Sequence, residues 1–269
     1  MRAPVIIEQI QRSLVGRGYP LSIDGRFGPA TLGAIHHALC AANDNGAAND
    51  NAPAPAIVYP DDTRLADPKA FFEHLRRGKL LGPVLTNEEV QGCSAIVEAC
   101  GEDGWPIADV AYALATAYHE TAGTMQPVRE YGGPAYFTKM YDVTGNRPEM
   151  ARRHGNTSPG DGPRFCGRGF VQLTWRCNYA KAGAALDVDL VANPDLAMQP
   201  AIAAAIMVRG MREGWFTARD LDDDLPRQGP ATVEQFARSR DIINGTDKAR
   251  KIAEEAVTFQ AALVAGGWA

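Results

Sequence analysis

Glu120 and Glu130 are the pair of residues in this chain whose type and spacing could do acid–base chemistry. Glu120 lies in DVAYALATAYHETAGT. At about 100° per residue, Val110, Ala113, Leu114 and Ala117 there share one apolar stripe, and Gly123 offers a helix stop. Glu120 falls at the margin of that stripe, close to the helix end. Partial burial disfavours a charged carboxylate and prepares it to donate a proton; an ordinary surface glutamate fits this stretch equally well. Glu130 lies in PVREYGG, and a chain folding back at Gly123 would set it across a cleft from Glu120. One protonated and one ionised carboxyl group are what hydrolysis of a glycosidic bond needs. The acid protonates the leaving oxygen and the base activates water on the opposite ring face, which requires a gap of roughly 6.5–9.5 Å. Arg129 is the expected neighbour keeping Glu130 ionised, and Asp142 and Asp161 are rival bases. With 32 acidic residues in the chain, such a pair is unspecific by itself.

A second constellation is FCGRGFVQLTWRCNYAK, residues 165–181, where Gln172, Thr174, Trp175 and Asn178 interrupt an apolar run. Amides, a hydroxyl and an indole on one short element suit a carbohydrate: hydrogen bonds read hydroxyl and N-acetyl groups while the ring stacks on sugar faces. Taken singly, each is as readily a core tryptophan or a turn-capping amide.

The elements that must position these groups are mostly helical. Asp67-Pro68 caps and starts a helix through Phe71, Phe72 and Leu75 that stops at Gly78. Thr86 and Glu89 have capping-box spacing ahead of Val90, Ile96 and Val97. Further helices are expected over 179–186, 201–213, 233–237 and 248–264. Residues 136–143 could form a small hairpin, and long loops over 125–134 and 153–167 are placed to line a cleft. Residues 41–56, AANDNGAANDNAPAPA, hold no large apolar side chain and read as a linker. The expected organisation is a small module over 1–42, a linker over 43–60 and a large domain over 61–269.

Composition is ordinary for a globular protein, with 45% hydrophobic and 22% charged residues. The net charge of −5 argues against nucleic acid as a partner, although residues 1–42 are slightly basic. Five cysteines show no zinc-type spacing, and Cys93 and Cys100 read as small core residues in a reducing compartment. The apolar stretches are too short for a signal peptide or a membrane span, so a soluble cytoplasmic protein without membrane insertion is expected. HExxH fails because position 123 is Gly, and a GxSxG elbow is absent. No metal and no organic cofactor is expected.

HETxG, GDG, GRGxxQLTxxxNY and INGT, in that order, resemble glycoside hydrolase family 19, and more closely its bacteriophage endolysin branch than the plant chitinases. The resemblance covers most of 105–260. It implies an all-α, lysozyme-like bilobal catalytic domain with Glu120 as general acid, Glu130 as base and Thr174 holding the attacking water. It also implies Gln172, Asn178 and Asn244 as substrate-binding positions. Trp175, Tyr131 and Arg168 are further candidate substrate contacts. His119 matches the family's HET histidine but points away from Glu120's neighbours on the helical wheel, and is expected to be structural. The family's basic residue after INGT corresponds to Arg250, with Lys251 close behind; Cys177 replaces a tyrosine of the chitinase pattern. Residues 5–40, with a GY followed by IDGRFGPAT, resemble the peptidoglycan-binding module of cell-wall hydrolases, which assigns Asp24, Gly25, Phe27, Gly28 and Thr31 to wall binding. Together these imply a monomeric endolysin that cleaves the β-1,4 bond between N-acetylmuramic acid and N-acetylglucosamine with inversion. It would wait in the host cytoplasm until a separate pore-forming protein releases it. The alternatives are a chitinase and a wall-binding protein with little or no catalysis.

Overall fold

A computed structural model describes residues 11–15, 64–78, 80–221, 224–242 and 248–268. The chain divides into two units, Met1–Val58 and Tyr59–Ala269. In the first, residues 11–15 are helical. Asp24, Gly25, Phe27, Gly28 and Thr31, the wall-binding positions expected from sequence, lie outside the described residues, as does the linker.

The second unit is predominantly helical. Its first helix, α1 (Pro68–Arg77), is capped by Asp67, whose side chain accepts from the Ala70 amide. In α2 (Asn87–Glu102) the Thr86/Glu89 capping box is complete in both directions, at 3.1 and 2.7 Å. These two starts were readable because a cap is a contact over three residues.

α3 (Ile107–Glu120) is the central element. Every residue from Ala108 to Ala117 is buried, so the helix is enclosed on all sides rather than along a single stripe. Its end is a Schellman turn: the Gly123 amide donates to the Tyr118 carbonyl and the Ala122 amide to His119. Ala122 and Gly123 both have left-handed backbones, at φ 52° and 86°, so the turn that ends the helix begins one residue before the expected Gly123 stop.

Two short strands follow, β1 (Val128–Arg129) and β2 (Arg168–Gly169), paired antiparallel with Val128 opposite Gly169. Between them lie α4 (Pro134–Tyr141), α5 (Pro148–Arg153) and α6 (Asp161–Arg164). The hairpin expected over 136–143 is instead α4, started by Pro134 in its first turn. After β2 come α7 (Arg176–Leu186), α8 (Pro200–Arg212), α9 (Val233–Arg238) and α10 (Ala249–Ala265). α3 packs on α10, and α10 in turn on α1 and α9.

Two hydrophobic cores result. The larger surrounds α3 and includes Phe71, Trp105, Tyr112, Phe170 and Phe259. The smaller gathers Phe165, Leu173, Tyr179, Leu190 and Ile206. Val171 packs against both, so residues 170–173 join the two cores.

Candidate active site

Glu120 is the last residue of α3, and its side chain is 22% exposed. Arg240 Nη2 donates to its Oε1 at 2.9 Å. Arg240 is only 1% exposed, held in the 3₁₀ turn Ser239–Ile242 after α9. The cation at Glu120 is thus Arg240 and not Arg250 or Lys251. Those two sit on the outer flank of α10, paired one turn on with Glu254 at 3.3 Å and Glu255 at 3.7 Å. Their spacing after INGT suggested the site, but the contact comes from the segment before it. His119 Nδ1 lies 3.9 Å from the buried Glu255 carboxylate, and burial pushes the imidazole below its usual range despite the nearby Glu120 charge.

Glu130 follows β1 and is half-buried. Its Oε1 accepts from the Tyr141 hydroxyl at 2.7 Å, and its Oε2 accepts from the Gly167 amide at 3.1 Å. Its own amide donates to the Gly167 carbonyl at 2.9 Å. Both side-chain oxygens serve as acceptors, the role of a carboxylate rather than of a carboxylic acid. Burial, reinforced by the bond to Glu130, pushes the Tyr141 phenol well above its usual range, so Tyr141 stays a donor at neutral pH. Gly167 is required by this approach: a Cβ there would stand 2.6 Å from Gln172 Oε1 and 3.1 Å from Glu130 Oε2. Arg129 does not serve Glu130; it pairs with Asp195.

The rival bases are consumed by loop architecture. Asp142, 1% exposed, accepts from the Thr144, Gly160 and Gly162 amides and the Thr144 hydroxyl. Burial opposes its charge, but those four donors outweigh it and hold the carboxyl below the usual carboxylate range. Asp161 accepts from the Thr157 and Ser158 amides.

The segment after β2 forms one wall of an open pocket lined by Gln172, Thr174, Asn178, Lys181, Trp215 and Phe216. Gln172 and Trp175 both have left-handed backbones, at φ 54° and 77°, a conformation side chains rarely adopt outside functional or over-determined sites. The Gln172 amide donates to the Val128 carbonyl at 2.9 Å, tying the segment to β1 beside Glu130. The Thr174 hydroxyl donates to the Gln172 carbonyl at 2.8 Å, and the Asn178 amide to the Thr174 carbonyl at 2.8 Å.

Two expected substrate contacts are placed otherwise. Arg168 is 3% exposed, and its guanidinium is satisfied by the Arg164 and Cys166 carbonyls, the Tyr179 hydroxyl and Asp195; it organises β2 and does not face a ligand. Trp175 stacks on His154 at 4.9 Å and meets the Tyr141 ring edge-on at 4.9 Å, so it buttresses the Glu130 donor. The aromatic side chains at the pocket are instead Trp215 and Phe216. Tyr131 is fully exposed. Asn244 lies outside the described residues. Tyr141, Trp215 and Arg240 had no signal in the sequence motifs, being joined to them only through tertiary contacts, whereas Lys181 closes the 165–181 stretch but was not singled out within it. Among the described residues no cluster of His, Cys, Asp and Glu could hold a metal ion, and no helix is long and apolar enough to cross a membrane.

A helical unit with one carboxylate paired to Arg240 at the end of α3, and another cradled after β1 beside the segment that lines an amide-bearing pocket, has the parts of a glycoside hydrolase. Residues 92–222 match the family model Glyco_hydro_19, described as chitinase class I. The match takes in Glu120, Glu130 and Thr174 but ends before Arg240. An endochitinase 1 of Theobroma cacao is 36% identical over 107 residues, 38% of this chain and 32% of that protein. An acidic endochitinase Q of Nicotiana tabacum is 30% identical over 157 residues, 54% of each chain. The chain thus spans between about a third and about half of the length of these curated relatives. Chitinase C from Streptomyces griseus HUT6037, a solved structure, aligns with a TM-score of 0.40 at 20% identity over 77% of this chain and 73% of its own.

Proposed function

We propose that this protein hydrolyses a β-1,4-linked polymer of N-acetylated hexosamines with inversion, Glu120 acting as acid, Glu130 as base and Thr174 orienting the water. The observation behind this reading is the Glu130 cradle, in which Tyr141 and Gly167 fix a carboxylate next to a pocket presenting Thr174. A carboxylate has about four acceptor positions, and two remain here for a water. Thr174 has committed its own proton to the Gln172 carbonyl, so its oxygen can only accept. A water between them gives one hydrogen to Glu130 and the other to Thr174, which aims its lone pair at the anomeric carbon. As the new C–O bond forms and the glycosidic bond breaks, Glu120 gives its proton to the leaving oxygen and Glu130 takes one from the water. Arg240 fixes the Glu120 carboxyl through Oε1 during this exchange.

The substrate we infer is bacterial peptidoglycan, cut between N-acetylmuramic acid and N-acetylglucosamine. The GRGxxQLTxxxNY pattern, which resembles endolysins, and the DGRFGPAT string in residues 1–42 support it. The chain would then act as a monomeric endolysin, without cofactor, reaching the wall from the host cytoplasm through a pore made by another protein. Chitin is the second reading, favoured because the curated relatives are endochitinases. Mass spectrometry of digested peptidoglycan separates the two. New reducing-end muramic acid supports the first reading. Reducing-end glucosamine, freed peptide, or cleavage confined to chitooligosaccharides overturns it.

A further inference from the structure

The pocket beside Glu130 extends past the groups that would hold a neutral sugar. Asn178 and Lys181 are three residues apart on α7 and share a face, and Trp215 and Phe216 complete the lining. Lys181 Nζ stands 4.9 Å from the centre of the Trp215 ring, an attraction that holds the ammonium at the pocket instead of leaving it free on its flexible stem. The ring is itself fixed, since Trp215 Nε1 donates to Glu213 Oε2 at 2.8 Å. Glu213 in turn is paired with Arg209 at 3.0 Å and also feels the Lys181 charge, without a salt bridge between those two. Among the described residues Lys181 forms no ion pair. A hydrogen-bonding pocket therefore has at its far end a placed cation with no anion in salt-bridge contact. A neutral glycan can take only a hydrogen bond from such a group, whereas a carboxylate gains a charge-assisted bond of roughly twice the strength.

We propose that Lys181 is a specificity-determining residue: its ammonium, held over Trp215 in the pocket that begins at Gln172 beside Glu130, binds a carboxylate carried by the sugar polymer and makes the site prefer an anionic glycan. The inference rests on the hydrolase reading of this pocket and names the substrate class within it. A muramyl sugar presents the lactyl carboxylate where it bears no stem peptide, and the peptide's own carboxylates where the lactyl carboxyl is consumed in the amide link; both kinds offer Lys181 the same chemistry.

The test is a binding titration of the full chain in a Glu120→Gln background, where the saccharide survives, with Glu130→Gln as an independent silenced background. The probes are muramyl oligosaccharides stripped of stem peptide, the same oligosaccharides with their lactyl groups methyl-esterified, and oligosaccharides retaining the peptide. Esterification should weaken binding by up to about fivefold at low salt, the range of a solvent-exposed ion pair, and the difference should shrink as salt is added. Lys181→Gln should erase the difference and Lys181→Arg should keep it. A preference seen only with the peptide attached assigns the carboxylate to the stem. Equal affinity for all three probes, or a preference that survives Lys181→Gln, overturns the proposal. Turnover by the unaltered enzyme is read separately. Cleavage without a carboxylate preference would reject the role of Lys181 and leave the hydrolase reading standing; preference without cleavage would do the reverse.

Discussion

Removing one oxygen atom at Tyr141 tests whether the Glu130 cradle is the working part of the site. Tyr141→Phe deletes the 2.7 Å hydrogen bond to Glu130 Oε1 and leaves the ring that packs edge-on against Trp175. A hydrogen bond to a charged group contributes about 1.5–3 kcal/mol. Because Glu130 is half-buried, the lower end applies, and about 1.5 kcal/mol corresponds to roughly a tenfold loss in kcat. The measurement is initial rate against substrate concentration on soluble peptidoglycan fragments and on chitooligosaccharides, with a thermal melt of each variant alongside. The loss should fall on kcat, because the hydroxyl orients the base and does not line the pocket. Gly167→Ala perturbs the same carboxylate from its other side, where the new methyl would stand 3.1 Å from Glu130 Oε2 and 2.6 Å from Gln172 Oε1. It should cost more than Tyr141→Phe, and the double variant should lose less than the product of the two, since both act through one group. A Tyr141→Phe enzyme with unaltered kcat and unaltered stability would refute the assignment of Glu130 as base.

Glu120→Gln and Glu130→Gln should each lower kcat by at least about a hundredfold while the melting temperature changes little, because an amide neither donates nor takes the proton; either variant lysing walls like the wild type would reject its role. Arg240→Ala should destabilise the protein by about 3 kcal/mol in denaturant titration, since it strips the partner from a partly buried carboxylate and empties a site that is 1% exposed; a change below about 1 kcal/mol would mean the pair is dispensable. Asp142→Asn should cost about 2 kcal/mol at neutral pH by disrupting the four bonds to its carboxylate. The native carboxyl is held below its unfolded value of about 3.9, so its stabilisation is full above that pH and fades as pH falls through the native value. The gap between wild type and variant should therefore close in acid; a gap independent of pH would contradict the argument. Ala122→Gly relieves the left-handed strain at φ 52° on an exposed residue and should raise stability by about 1 kcal/mol, or a few degrees in Tm.

What could be read from sequence was what depends on near neighbours. Asp67, Thr86 and Glu89 announced helix starts because a cap is satisfied within three residues. The apolar positions Val110, Ala113, Leu114 and Ala117 marked the central helix, and all four are fully buried. Local preference was misleading over 136–143, where aromatic and β-branched residues suggested strands but Pro134 sets a helix start and Asp142, just past the helix end, reaches forward to the amides of Gly160 and Gly162. Arg168 looked like a ligand-facing cation in the Gly-Arg-Gly motif. Its burial depends on carbonyls and a tyrosine supplied by the folded chain around it. Arg240 meets Glu120 across 120 residues of chain, a separation that no motif spacing encodes.

The same distinction explains why the motif residues were found while several of their tasks were misassigned. Residues 168–175 pass from β2, through Phe170 in one core and Leu173 in the other, to the start of α7. Along that path Gln172 and Trp175 hold left-handed conformations that cost each of them on the order of 1–2 kcal/mol. Only packing on both sides can maintain such a path, and no local propensity would select it. Its consequence is that side chains legible as sugar-binding types are turned to other partners: the Gln172 amide to the Val128 carbonyl, and the Trp175 ring to His154 and Tyr141. The strain therefore serves to hold β1, and with it Glu130, in register with Thr174. A variant that relaxed it, such as Gln172→Gly, should trade activity for a more mobile segment, because the amide that ties this segment to β1 would go with the side chain.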